Sequence, residues 1–496
     1  MRKIFVILVY VASFVFLGAC VDDDSFSLSP SNTLTFATDT VSMDTVFSTV
    51  PTSTRSFWVY NKSGDGIRCT KVRLAAGNQT GFRVNVDGEY LSPASGYQVS
   101  DVEIRKKDSI RVFVELTSPE NGKTGPQLLE DNLIFQLESG VEQRVNLKAY
   151  TWDAKLIKDL KVTEDMTLES VSKPVVVYGD ITVDSFTTLR ITAGSTVYFH
   201  ADAGIDVYGQ LITEGTAENN VVLRGDRMDN MFDYLPYDRV SGQWQGIKFN
   251  GSSYGNELNY TDIHSTFDGV VCDSSDLNRS KLLVNNSTIQ TCQGYGLKSI
   301  NSTVDVRNTL IANTLNNCVA VYGGNITLQH CTLAQFYPFD SNRGAALMYA
   351  NSIDEKPLPL NRMDCINSIV TGYGVDQVSG VDIDDGETAF NYRFINSLLR
   401  TPDPTEENKD NEENFEDKLI NVIFEDVDEP DSIAGEEHFR LVDIDKQQYD
   451  FHLNADSPAI DKAEPASSLP QDRDGTQRDN KPDIGCYEFV EEQKEP

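Results

Sequence analysis

Between Leu258 and Leu398 one short phrase keeps returning, in which small polar residues alternate with aliphatic ones. It reads Tyr260-Thr261-Asp262-Ile263, Asn286-Ser287-Thr288-Ile289, Asn308-Thr309-Leu310-Ile311, His330-Cys331-Thr332-Leu333, Ile366-Asn367-Ser368-Ile369 and Ile395-Asn396-Ser397-Leu398. The closing aliphatics are 26, 22, 22, 36 and 29 residues apart, so a unit of about 22 recurs and loops absorb the excess. A fixed period in this range marks a stacked repeat architecture. The phrase is too short and too β-branched for a helix. Strand alternation puts Ile263, Ile289, Ile311, Leu333, Ile369 and Leu398 on one face with Thr261, Ser287, Thr309, Cys331, Asn367 and Asn396. Each unit is therefore expected to be one turn of a parallel β-helix, with an aliphatic stack beside a small polar stack inside. A second apolar run about eight residues later, Val270-Val271, Gly296-Leu297, Cys318-Val319 and Ala345-Ala346-Leu347, supplies another wall.

Upstream the rhythm differs. From Leu34 to Tyr150 alternating segments such as Ser56-Phe57-Trp58-Val59-Tyr60 and Ser109-Ile110-Arg111-Val112-Phe113-Val114 are separated by turn signals, including Asp87-Gly88 and Glu120-Asn121-Gly122. That is the size and spacing of a sandwich. After Trp152-Asp153 come Val175-Val176-Val177, Leu189-Arg190-Ile191, Gly204-Ile205-Asp206-Val207 and Val221-Val222-Leu223, short strands closed by Gly, Asp or Asn. Met228 to Val240, rich in Asp, Tyr and Arg, reads as a loop thrown out from one turn, and Pro402 to Glu437 as an acidic loop.

A formal charge of −34 over 496 residues argues against nucleic acid and anionic membrane surfaces as partners, because phosphate binding needs clustered Lys and Arg. At the N-terminus a basic Arg2-Lys3 precedes an apolar run from Ile4 to Leu17, too short for a membrane span. Apart from the cysteine at position 20, the chain has Cys69, Cys272, Cys292, Cys318, Cys331, Cys365 and Cys486. Their number is odd and their spacing irregular, so they read as interior hydrophobes rather than a disulfide framework or a zinc site.

Several segments resemble known families. Leu17-Gly18-Ala19-Cys20 resembles the lipobox of bacterial lipoproteins, which implies lipidation of Cys20, and the acidic run Asp22-Asp23-Asp24 looks like the surface-export signal of Bacteroidetes-type lipoproteins. Phe57-Trp58-Val59-Tyr60-Asn61 through Phe82-Arg83-Val84 resembles the immunoglobulin-like spacers of bacterial surface proteins. Gly215-Thr216-Ala217 with Trp244-Gln245-Gly246-Ile247-Lys248-Phe249 resembles the opening turns of right-handed parallel β-helix (pectin-lyase-like) proteins. Ser457-Pro458-Ala459-Ile460-Asp461, Asp472-Arg473-Asp474-Gly475 and Pro482-Asp483-Ile484-Gly485-Cys486 look like the C-terminal turns of such proteins. The expected fold is all-β: an N-terminal immunoglobulin-like β-sandwich followed by a right-handed parallel β-helix. The expected boundaries are a signal peptide over 1–19, a lipidated tether over 20–33, the sandwich over 34–152, the β-helix over 165–490 and a tail over 491–496. The protein is expected to be lipid-anchored to the outer membrane and to face the cell exterior.

This scaffold carries polysaccharide-cleaving enzymes and non-catalytic proteins alike, so the fold does not decide the activity. Of the polygalacturonase constellation the chain offers Tyr260-Thr261-Asp262 and Asp384-Asp385 but neither a His-Gly nor an Arg-Ile-Lys. The expectation is a non-catalytic protein binding a polysaccharide or a host or cell-surface glycan, with a polysaccharide lyase or glycoside hydrolase as the alternative. Candidate glycan-binding residues are Asp262, His264, Asp268 and Tyr295, since a carboxylate beside His can do acid–base work and Tyr can stack on a sugar. The opposing reading makes Asp262 and His264 solvated outward residues and Asp268-Gly269 a turn. Trp244 is expected to pack in the core. Asp472-Arg473-Asp474-Gly475 resembles part of a Ca²⁺ loop, but the spacing to a closing Glu is wrong, so a polar turn and no cofactor are expected.

Overall fold

A computed structural model describes residues 25–404, 415–425 and 432–491. Cys20, the leader and the acidic run at 22–24 lie outside the described residues. The chain divides into two compact units between Asp153 and Ala154.

In the first unit the alternating segments pair into a five-stranded and a six-stranded sheet. Pairing is antiparallel except where Thr40–Phe47 lies parallel to Glu142–Trp152. One face of each sheet is apolar, and the two faces share a core that includes Phe57, Val59, Val112 and Val114 from one and Leu133, Phe135, Val145 and Leu147 from the other. The stretch expected to be a free tether is stitched down from Ser25 onward. Phe26 bridges to Gly66, and the Arg68 guanidinium lies 4.3 Å from the Phe26 ring.

The second unit is built on a single parallel sheet of 26 strands that coils through three walls. Its first strand, Lys155–Val162, lies upstream of the expected start at 165. The repeated phrase forms the first wall, whose strands include Thr196–Phe199, Val221–Gly225, Thr261–His264, Thr288–Cys292, Leu310–Thr314, Thr332–Gln335 and Ile369–Gly372. Val197, Leu223, Ile263, Ile289, Ile311, Leu333, Val370 and Leu399 stack in register inside it. The second apolar run forms the second wall, with Val270, Leu297, Val319 and Leu347 in register.

A polar ladder runs beside the aliphatic stack. The Thr213 and Thr261 hydroxyls are 2.6 Å apart, Ser287 Oγ accepts from Thr261 N–H at 3.0 Å, and Ser368 Oγ accepts from Cys331 N–H at 3.0 Å. A buried aliphatic contributes about 1.5–3 kcal/mol and a net hydrogen bond about 1 kcal/mol, so the stack supplies stability and the ladder fixes register. All seven cysteines among the described residues are buried and unpaired.

The residue before each ladder position turns the corner with positive φ: Tyr260 43°, Asn286 50°, Asn308 43°, His330 50°, Asn367 50° and Asn396 46°. Asn tolerates this left-handed conformation, which accounts for its return in the phrase. The column also corrects the expected alignment of the last two repeats. Asn367 and Asn396 belong at the corner, Ser368 and Ser397 in the ladder, and Val370 and Leu399 in the stack. A one-residue offset exchanges faces, so Ile369 and Leu398 point outward.

They point into a second core, because the C-terminal region does not continue the coil. The parallel sheet ends at Ile423–Phe424 rather than near 490. Downstream an antiparallel hairpin, Phe439–Asp443 with Gln448–Leu453, and the segment to Phe489 lie as a strap over the outer face of the first wall. The strap buries Phe439, Phe451, Ile484 and Tyr487 against Leu310, Phe336, Ile369 and Leu398. Glu464 N–H donates to Asn367 Oδ1 at 3.0 Å, Ser468 Oγ meets His330 Nε2 at 3.0 Å, and Gln471 O accepts from Asn308 Nδ2 at 2.8 Å. The strap therefore runs back down the coil along the corner column. Burial and Arg478 push His330 down to about 3, so its ring is neutral. At the far end Glu425, buried, bonds His438 Nε2 at 3.0 Å and Arg400 Nη1 at 2.7 Å.

Candidate functional site

Between the strap and the early turns of the first wall a groove of about 610 Å³ remains open. Its floor is the outward face of the wall. Because Ile263 points in, Asp262 and His264 on either side point out, and Tyr198, Arg224, Thr288 and Gln290 occupy the equivalent positions on neighbouring turns. The strap contributes Tyr449, Asp450, Phe451, His452, Arg473 and Tyr487, and the loop thrown out after residue 226 contributes Asp238.

The charged groups of the groove are paired with one another. Arg473, almost fully buried, donates through Nη2 to Asp262 Oδ1 at 2.6 Å, through Nη1 to Asp474 Oδ1 at 3.1 Å and through Nε to Thr288 Oγ1 at 3.2 Å. Asp262 also accepts from Asn220 Nδ2 at 3.2 Å. Arg224 Nη1 lies 2.6 Å from Asp238 Oδ1, which in turn lies 3.6 Å from His264 Nδ1. Burial pushes His264 down against the pull of Asp238, which favours a neutral ring. His452 is held by Asp450 Oδ1 at 2.5 Å and Asp474 Oδ2 at 3.0 Å and stacks on Tyr487 with centroids 4.0 Å apart. Burial disfavours its charge, but the two carboxylates outweigh that and raise its pKa. Burial raises Tyr198, Tyr449 and Tyr487, so all three remain phenols.

The four candidate residues separate into two pairs. Asp262 and His264 line the groove, where the strap partly covers them. Asp268 and Tyr295 do not line it. Ser265, with φ 64°, turns the chain away, and Asp268 Oδ1 accepts from Tyr295 N–H at 2.8 Å, bracing successive turns. Tyr295 lies beside Lys298, at 4.8 Å, on the second wall. Trp244 stacks on Phe199 with centroids 4.2 Å apart and donates its indole N–H to His264 O, so it is core. The Asp472 carboxylate accepts from the N–H groups of Asp474, Thr476 and Glu488 at 2.9, 2.8 and 2.9 Å. The carboxylate thus braces the polar turn and ties it to Glu488. Among the described residues no group of three His, Cys, Asp or Glu could hold a metal.

Arg224, Asp238, Tyr449, His452, Arg473 and Tyr487 were not among the sequence candidates. Two signals pointed near them: the Asp- and Arg-bearing loop at Met228 to Val240, and Asp472-Arg473-Asp474.

No family model and no curated protein matches the chain. Among solved structures it is similar to the catalytic unit of the thermostable GH87 alpha-1,3-glucanase from Streptomyces thermodiastaticus strain HF3-3, at 12% identity and TM-score 0.27 over 69% of this chain and 70% of that one. It is also similar to the VesB protease of Vibrio cholerae, at 13% identity and TM-score 0.16 over 24% of this chain and 32% of that one. The match thus spans about a third of the protease. Likeness at this level leaves function to be argued from the chain's own residues.

Proposed function

We propose that the mature protein is a surface-anchored lipoprotein whose strap-roofed groove binds a polysaccharide or cell-surface glycan without cleaving it. The observation that carries this reading is the internal pairing of the groove's charges: Asp262 and Asp474 with Arg473, Asp238 with Arg224, Asp450 with His452. A glycosidase needs one carboxyl kept protonated and another free to activate water or attack the sugar. The carboxyls that burial pushes up, Asp180, Asp226, Asp268 and Asp483, all lie outside the groove's lining. What the groove presents instead is rigid polar surface beside tyrosine rings, the combination that grips a sugar. Anchoring through Cys20 and export to the cell exterior rest on the leader sequence.

One observation favours a second reading, that of a polysaccharide lyase or glycoside hydrolase. His264 is largely but not fully buried and favoured neutral beside Asp238, the state a proton acceptor requires. Screening the full mature chain against a polysaccharide panel, for retention and for reducing-end or unsaturated products, separates the two. Retention without products is expected. Products abolished by Asp262→Ala, in a variant with an unchanged circular dichroism spectrum, would establish the enzyme instead. Protease shaving of intact cells tests the location, where full protection would contradict surface exposure.

A further inference from the structure

Past His264 the groove opens into a second compartment of about 350 Å³, which shares Asp238, His264, Gln290 and Tyr449 with the first. It is furnished with side-chain amides: Gln290, Asn313, Gln447 and Gln448. Asn313 is 1% exposed, and neither its Oδ1 nor its Nδ2 has a hydrogen-bond partner. The Tyr449 hydroxyl is likewise buried and unpartnered. A buried, unpaired amide is rare and costly, so a site that keeps one needs a reason. Backbone geometry does not supply it. Asn313 has φ 54°, which asparagine tolerates, and this accounts for the residue type but not for an amide whose two polar atoms both lack a partner.

We infer that this compartment is a subsite for an uncharged sugar, with the Asn313 amide accepting from one hydroxyl of a vicinal diol and donating to the next. The inference rests on the glycan-binding reading and names its ligand class. A primary amide offers one acceptor and two donors side by side, matching adjacent hydroxyls. Of the cations nearby, Arg224 pairs with Asp238 at 2.6 Å, while Arg239, which lines the compartment, donates through Nη1 to the carbonyl of Lys446 at 3.3 Å. The lining thus offers four side-chain amides against one cation, which suits hydroxyls better than a carboxylate.

The test measures retention of the full mature chain by neutral glucans and mannans, polygalacturonate and an N-acetylglucosamine polymer. Asn313→Ala and Asn313→Gly are run beside it, the glycine variant keeping the backbone angle. The expected result is retention by a neutral polymer, weakened about tenfold or more in both variants, while in Asn313→Gly, which carries no backbone strain at this angle, Tm stays level or rises because an unpaired buried amide has been removed. A structural role for Asn313 would lower Tm instead. Tighter retention by polygalacturonate, retention by the acetamido polymer alone, or unchanged binding in Asn313→Gly overturns this inference and leaves the glycan reading standing. Failure of the unmodified chain to bind any polymer overturns that reading, and this inference with it.

Discussion

Replacing Arg473 with Met should loosen the strap from the wall, and the cost can be worked from the contacts. The Arg473 side chain is 8% exposed, and its guanidinium serves Asp262, Asp474 and Thr288 at once. Removing one partner of a fully buried ion pair costs about 3–5 kcal/mol. Here the orphaned carboxylates are 26% and 41% exposed, and each keeps another partner, Asn220 for Asp262 and His452 for Asp474. Water and those partners reduce the penalty to about 2–3 kcal/mol. Asp262→Asn removes the charge that Arg473→Met strands, so the double variant should recover about 1–2 kcal/mol as coupling. Urea unfolding followed by Trp244 emission reads this out, because Trp244 is the only tryptophan of the second unit and Trp58 and Trp152 can be changed to Phe. A loss below about 0.5 kcal/mol in Arg473→Met, or a coupling indistinguishable from zero, would mean that apolar contacts alone hold the strap.

Two further outcomes follow from single residues. His452 has a folded pKa above the ordinary imidazole value of 6.5, so its contribution is complete below that value and lost as pH rises through the folded one. Hydrogen exchange at Gln448–Leu453, corrected for intrinsic rates, should therefore accelerate from about pH 6 to pH 8, and His452→Gln should flatten the profile; slowing with pH would refute the clamp. Gly246 has φ 89°, and an added Cβ would sit 1.7 Å from Asp268 O. Gly246→Ala should cost about 3 kcal/mol or more through strain and overpacking, seen as a large fall in Tm, and a Tm equal to wild type would contradict the close approach.

The coil was legible in the sequence because its phrase carries two signals at once, strand alternation and a corner residue. Ile263, Ile289, Ile311 and Leu333 all occupy the expected stack. Alignment failed at Ile369 and Leu398, where the aliphatic that closes the phrase is matched by a second one, Val370 or Leu399, and only the corner at Asn367 and Asn396 shows which points inward. The C-terminal segment resembles further turns in sequence because its runs are strand-like. What distinguishes it is antiparallel pairing between Phe439–Asp443 and Gln448–Leu453, together with contacts to residues more than a hundred positions away, neither of which local pattern encodes. The site was half legible for the same reason. Asp262 and His264 share a strand face, whereas Arg473 is 211 positions from Asp262 and reaches it only because the strap runs backward.

The strap also changes how the coil bears load. In a stack whose turns touch only their neighbours, stability is a sum of local terms, and a pull on the last turn peels strands away one after another at low force. Here one segment is bonded to five successive turns, at Asp262, Thr288, Asn308, His330 and Asn367. Its bonds are loaded in parallel, in shear, so the turns beneath it must yield together.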